Sequence, residues 1–224
     1  MTIIIGFGKL AQSVVSLLPI DQPIHVYSRT KEKVIAASKE NPKINWIDLE
    51  DVHNARNIWL FLPQGEIEHF LVNHRHFFSS KTILHYTATS LTRADIQQWL
   101  PDEVEAVPCK FVTQADQLRK DGFGLAAVDP SAQKYTDEVT RFLGSNFTIV
   151  LAPEQDVLAV NKTATKQGIE AVIKLKRELK KKQIDDVLIT NAAKQIIPGV
   201  IHSYLNDNLG GFGQKAVKEI TDET

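Results

Sequence analysis

The stretch Thr2-Ile3-Ile4-Ile5-Gly6-Phe7-Gly8-Lys9-Leu10-Ala11 decides the reading of the fold. Three consecutive isoleucines without polar alternation read as a short strand covered on both faces. A G-x-G-x-x-A pattern follows at once, and Leu10, Val14, Val15, Leu17 and Leu18 then recur on one helical face. In a strand-turn-helix unit of this kind Gly6 permits the tight turn and Gly8 lets a pyrophosphate approach the backbone. Ala11 lets the helix pack closely on the sheet, and the free amides of the first helical turn face the anion. The same glycines also suit a plain strand-to-helix turn with no ligand. The strand before and the apolar helix after them favour the dinucleotide reading.

Working outward, short β-branched runs alternate with helical patterns as far as residue 150. Expected strands are Thr2-Ile5, Ile24-Tyr27, Ile44-Ile47, Asn57-Leu62, Thr82-Tyr86, Glu105-Val107, Gly124-Val128 and Phe147-Val150. That rhythm predicts an α/β fold, an N-terminal doubly wound and mostly parallel Rossmann sheet with helices on both faces. Ser131 reads as the cap of a helix through Val139, Phe142 and Leu143. Beyond Pro153 strand signals stop and two long helical stretches follow, about 154-182 and 185-206, with a kink expected at Pro198-Gly199. The expected organisation is a dinucleotide-binding domain over 1-152 and an all-helical domain over 153-224. The basic run Lys174, Lys176, Arg177 and Lys180-Lys182 reads as a solvated face or as a phosphate- or partner-binding patch.

The end of the second strand, about 20 residues past the glycines, is where an adenosine ribose is read. An acidic residue there holds a 2′-hydroxyl, whereas Ser28-Arg29-Thr30 offers a cation and two hydroxyl donors suited to a 2′-phosphate. NADP(H) is the expected cofactor; an ordinary polar loop is the alternative.

Gly6-Phe7-Gly8-Lys9-Leu10-Ala11, the strand ending in Ser28-Arg29-Thr30, Leu60-Phe61-Leu62-Pro63-Gln64 and Val107-Pro108 together resemble pyrroline-5-carboxylate reductases. Asp186 to Gly199 is similar to that family's late helix, and Asn208 to Gly213 to its Gly-Gly loop. The resemblance implies a Rossmann domain followed by a helical domain that dimerises, with Gly6 to Ala11, Ser28, Arg29, Thr30, Leu62, Pro63, Pro108 and Cys109 against the cofactor. Thr87, at the end of the fifth strand where such folds open their ligand crevice, reads as a further cofactor contact or as an ordinary polar loop residue. The resemblance also implies a substrate pocket that Thr163 and Thr165 reach from the helical side; Lys110, next to the crevice, reads as a partner for an anionic substrate or as a solvated lysine. The departures fall on the substrate side. Pro108 is followed by Cys109-Lys110-Phe111 instead of Asn and a Thr-Pro pair, and Val160 to Lys166 stands where the family has Gly-Ser-Gly-Pro-Ala.

Other features narrow the class. With 224 residues, a formal charge of -1, 43% hydrophobic and 24% charged residues, the chain is an ordinary globular protein with no excess charge to attract nucleic acid. No run approaches the ~18 apolar residues of a membrane span. The single cysteine and the absence of a signal-peptide pattern lead to a cytoplasmic expectation. His74-Arg75-His76 has the wrong spacing for a metal pair on one helical face, so no metal is expected. The functional expectation is an NADP(H)-dependent oxidoreductase transferring hydride to or from a small imine or carbonyl substrate, with no catalytic residue identified. The alternative is a non-catalytic dinucleotide-binding regulatory protein that has lost the substrate motif.

Overall fold

In the computed structural model, which describes residues 1–19 and 23–222, eight strands form one sheet. They are β1 (Thr2–Ile5), β2 (Ile24–Tyr27), β3 (Ile44–Trp46), β4 (Asn57–Leu60), β5 (Ile83–Tyr86), β6 (Glu105–Phe111), β7 (Gly124–Val128) and β8 (Phe147–Leu151). The helices between them are α1 (Lys9–Val15), α2 (Lys31–Glu40), α3 (Gln64–His74), α4 (Arg93–Gln97), α5 (Ala115–Asp121) and α6 (Thr136–Leu143). After the sheet come α7 (Glu154–Lys181), α8 (Asp186–Asn191), α9 (Ile197–Leu205) and α10 (Gly211–Asp222).

Strand order is β3-β2-β1-β4-β5-β6-β7-β8, parallel throughout except for the antiparallel pair β6 and β7. This is the doubly wound arrangement expected. From β1 the chain winds outward to β2 and β3 and then returns to lay β4 on the other side of β1. The crevice between the C-terminal ends of β1 and β4 is therefore the topological switch point, where such sheets bind ligands.

Alternation along the strands sends side chains to two apolar layers. Ile4, Val26, Trp59, Val107 and Cys109 pack with Ala11, Val14, Val139 and Leu143 of α1 and α6. Ile3, Ile5, Ile58, Leu60, Leu84 and Tyr86 pack with Ile67 and Leu71 of α3 and Ile96 of α4. Burial on both faces explains why the central strands lack the polar alternation of a half-exposed sheet.

Three local expectations are corrected. β6 runs on through Pro108 to Phe111, because at Pro108 it stops pairing with β5 and begins pairing with β7; the missing proline N–H falls at that exchange of partners. Ser131 does not cap the helix. It lies inside a 3₁₀ turn, Pro130–Tyr135, and the Asp129 carboxylate caps that turn by accepting from the Ser131 amide at 2.9 Å. The interruption expected at Pro198-Gly199 falls just before it, as a π-helical turn over Ala192–Ile196, with Pro198 in the first turn of α9. A proline has no N–H for the preceding turn and its ring crowds the carbonyl there, and a wider turn relieves both.

The chain divides into two compact units, Met1–Lys162 and Thr163–Thr224. In the second, Val172, Leu175 and Leu179 form the less exposed stripe of α7, while Lys174, Lys176, Arg177 and Lys180 to Lys182 are exposed. Val187, Leu188, Leu205 and Phe212 are exposed as well. Among the described residues no helix is long and apolar enough to cross a membrane.

One buried polar group sits in the first layer. His85 of β5 stacks on Trp59 with ring centroids 4.5 Å apart and places Nε2 3.3 Å from Glu138 Oε1. Its Nδ1 is buried without a hydrogen-bond partner. Burial holds the imidazole below its usual pKa, and the Glu138 hydrogen bond and charge oppose this only in part. As pH falls through about 6.5 the unfolded chain takes up the histidine proton before the folded one does, so stability is lost toward acid. Urea unfolding at pH 7 and pH 5 is expected to show this loss in the native chain and a smaller one in His85→Phe, which keeps the stack on Trp59. Equal losses in both would refute the assignment.

A tight backbone constraint falls at Gly6. Its φ is +91°, and a Cβ there would lie 2.6 Å from the Phe61 carbonyl oxygen. Gly6→Ala is expected to cost about 2 kcal/mol or more from left-handed strain and this collision, read as a lowered urea midpoint.

Candidate functional site

The β1–α1 turn, the ends of β2 and β4, and the segment after β5 enclose one cleft of about 810 Å³. Gly6, Phe7, Gly8, Lys9, Leu10, Ala11, Ser28, Arg29, Thr30, Leu62, Pro63 and Thr87, all singled out from the sequence, line it together. Gly6 donates its N–H to Tyr27 O at 2.9 Å and Phe61 donates to Ile5 O at 2.8 Å, so the turn is fastened to β2 and β4 by backbone alone. Gly8 precedes α1 with φ -75°, and a Cβ built there would meet nothing within 4 Å. Its lack of a side chain is thus required by no packing partner and leaves the cleft open beside the first amides of α1, which have no intrahelical acceptors. The Phe7 side chain turns into the apolar layer, and the Phe7 carbonyl accepts from Gln12 Nε2 at 3.0 Å.

At the β2 end of the cleft, Arg29 Nη1 lies 3.0 Å from Glu66 Oε2 of α3. Both side chains are well exposed, so the pair holds the guanidinium only weakly. Thr30 donates its amide to Ser28 Oγ at 3.3 Å. Lys33 lines the same end, a second cation that sequence reasoning passed over. Its signal was its place one helical turn after Arg29. Tyr27, His69, Phe70 and His74 add a ring-lined wall there, with Phe70 6.3 Å from Tyr27 and 4.8 Å from His74 between centroids. Burial and the neighbouring charges of His76 and His69 lower the His74 pKa, which favours a neutral ring.

At the opposite end the wall is Thr87, Ala88, Thr89 and Ser90. Thr87 donates its amide and its hydroxyl to Leu60 O, at 3.3 and 3.0 Å. Ser90 Oγ donates to Gln64 Oε1. These groups join the segment after β5 to β4 and α3.

Three further expectations are corrected by this geometry. Pro108 is buried within β6 and does not line the cleft. Cys109 is wholly buried in the apolar layer beneath α1, where burial pushes its thiol up to about 12 against the opposing charge of Lys110; such a sulfur is neither exposed nor nucleophilic. Lys110 points to the other face of the sheet, 1% exposed, with Nζ 3.1 Å from Glu154 Oε2, 2.8 Å from Leu91 O and bonded to Ala88 O. It has no free donor for a substrate anion. Burial lowers its pKa to about 8, opposed by the charge and hydrogen bond of Glu154. Thr163 and Thr165 are exposed on α7 in the second unit.

Comparison with known proteins adds the fold relationship. No family model and no curated protein matches the chain. Among solved structures, it is similar to a pyrroline-5-carboxylate reductase from Coxiella burnetii, at 16% identity over 99% of this chain and 90% of that one, with a TM-score of 0.69. The Plasmodium falciparum pyrroline carboxylate reductase with NADP bound matches at 15% identity over 99% and 89% of the two chains, with a TM-score of 0.62. The 1-pyrroline-5-carboxylate reductase of Streptococcus pyogenes matches at 12% identity over 94% and 80%, with a TM-score of 0.65. Across both the sheet and the helical region, the chain has the fold of these reductases.

Proposed function

We propose that the chain is an NADP(H)-dependent oxidoreductase resembling pyrroline-5-carboxylate reductases, acting on a small imine or carbonyl substrate. The observation that carries this reading is the single cleft joining the Gly6–Ala11 turn, the cations Arg29 and Lys33, and the wall after β5. The residues fit the cofactor. Open space at Gly8 would accommodate a pyrophosphate, Ser28, Arg29, Thr30 and Lys33 would hold a 2′-phosphate, and Leu62, Pro63 and Thr87 to Ser90 would line the second nucleoside. When bound, the cofactor supplies or accepts a hydride at the nicotinamide ring.

The chain's own contribution is orientation and enclosure. On the β5 side the cleft presents hydroxyls and backbone groups of Thr87 to Ser90 and, among the described residues, no acid, lysine or tyrosine, since Tyr86 and Lys110 are buried behind it. That suits a substrate nitrogen that already carries its proton, as a protonated imine does. Exposed Val187, Leu188, Leu205 and Phe212 support a homodimer formed through the helical unit. A regulatory, non-catalytic role is favoured by one feature, the replacement of the glycine-rich substrate motif by Val160 to Lys166.

Calorimetric titration is expected to show NADPH binding more tightly than NADH. Arg29→Asp should weaken NADPH by about 1.5–3 kcal/mol, the scale of one charge-assisted contact, and leave NADH little changed. Gly8→Ala should leave folding stability within about 1 kcal/mol yet remove NADPH binding, because its methyl would occupy the space left for the pyrophosphate. Equal affinities for the two cofactors, or a Gly8→Ala protein that binds normally, would refute the cofactor reading. NADPH oxidation with a panel of cyclic imines and keto acids separates enzyme from regulator, and tight binding without turnover selects the latter. For the oligomer, sedimentation at micromolar concentration is expected to give a dimer, and a monomer there would exclude it.

A further inference from the structure

Behind the Thr87–Ser90 wall lies a buried polar group for which the cofactor reading has no use. Lys110 projects from the end of β6 over the Tyr86 ring, with Nζ 4.0 Å from the ring centroid. Its three N–H bonds meet three acceptors, the Ala88 carbonyl, the Leu91 carbonyl at 2.8 Å and Glu154 Oε2 at 3.1 Å. Glu154, at the start of α7, is satisfied in turn. Its Oε2 accepts from the Tyr86 hydroxyl at 2.7 Å and its Oε1 from the Arg93 amide at 2.8 Å. Two backbone carbonyls of the segment between β5 and α4, and the amide that follows it, are thus tied to one ion pair. The cleft-lining residues Thr87 to Ser90 belong to this tied segment.

An ammonium suits this place for a reason that packing alone does not supply. Within the segment the Ala88 carbonyl accepts only a long backbone bond, from the Leu91 amide at 3.4 Å, and the Leu91 carbonyl is met by the ammonium at 2.8 Å; a buried carbonyl left poorly paired is costly. An ammonium offers three donors from one point, so it can gather two carbonyls and a carboxylate that no single backbone amide could serve. A buried ion pair is weak evidence of stabilisation, since its desolvation offsets most of the attraction. What this one does by its geometry is hold a backbone path.

We propose that Lys110 is a positioning residue of the cleft, its buried ammonium fixing the course of Thr87–Thr92 and with it the wall against which the nicotinamide half of the cofactor rests. This rests on the cofactor reading for its ligand, though the clamp itself does not. Lys110 makes no contact with the ligand; it acts through Ala88 and Leu91.

The test uses the full chain and the double variant Lys110→Met with Glu154→Gln, which removes the clamp without leaving one buried charge alone. The first measurement is hydrogen exchange in the free protein. Amides of residues 88 to 92 are expected to exchange at least about tenfold faster in the variant while those of β1 and β4 are unchanged. The second is calorimetry with two probes, NADPH and adenosine 2′,5′-bisphosphate, the latter lacking the nicotinamide half. The variant is expected to bind the bisphosphate within about twofold of the native chain and NADPH at least about tenfold more weakly. Unchanged exchange over 88 to 92 overturns the clamp. Unchanged NADPH affinity, or an equal loss for both probes, overturns the positioning role. A native chain that binds neither probe overturns the cofactor reading and the positioning role together, and the exchange result then still decides the clamp.

Discussion

The cleft depends on one close approach, that of the Gly6 backbone to the end of β4. A side chain at position 6 would sit 2.6 Å from the Phe61 carbonyl oxygen, and the backbone there holds a φ of +91°. Only glycine satisfies both conditions at once. Because the turn is pressed against β4 and bonded to Tyr27 of β2, α1 starts at the place where the strand order reverses. Ser28 to Thr30 and Leu62-Pro63 then reach the same cleft simply as the continuations of β2 and β4. Their convergence needs no side-chain interaction of its own, which is why sequence distance between them is no obstacle.

The same logic explains what was legible in the sequence. Strands such as Thr2–Ile5 and Gly124–Val128 are buried on both faces and show it as uninterrupted apolar runs, so their bounds were readable residue by residue. The glycine turn was readable because its requirements are local. Where structure depends on partners far along the chain, local reading fell short. In Val107-Pro108-Cys109-Lys110-Phe111 a proline and a lysine look like the end of a strand, yet β6 continues, since Pro108 lies where one partner strand replaces another and Lys110 finds its acceptors in the segment above. Ser131 has the chemistry of a cap, but Asp129 two residues earlier reaches the open amide first.

Lys110 is the clearest case of what a linear reading misses. On composition a lysine belongs in solvent. Its burial becomes tolerable only through Glu154, which the sequence places beyond β8 and which seemed from pattern alone to begin a separate helical domain. The ion pair shows why the first compact unit reaches to Lys162. A cut at residue 152 would leave Lys110 charged among Tyr86 and two carbonyls without its counter-ion. Asn161 extends the attachment, donating from its side chain to the Phe111 carbonyl at 2.9 Å. The first turns of α7 are therefore fastened to the end of β6 through Glu154 and Asn161.

The two ends of the cleft are built on different physical principles, and this bears on how each can diverge. At the β2 end, Arg29 is held by Glu66 in an exposed pair, and such pairs contribute about 0–1 kcal/mol. A dianionic phosphate can replace that carboxylate at small cost, with Lys33 adding a second cation. Single surface substitutions can thus retune this end without disturbing the fold. At the β5 end the wall is shaped from behind by a saturated buried network in which each charged or hydroxyl group serves another. Changing one member leaves a neighbour unpaired in a low-dielectric interior, so that end changes only by concerted replacement. The wall at the β5 end is accordingly the better protected part of the cleft, although its sequence signals are the weaker ones.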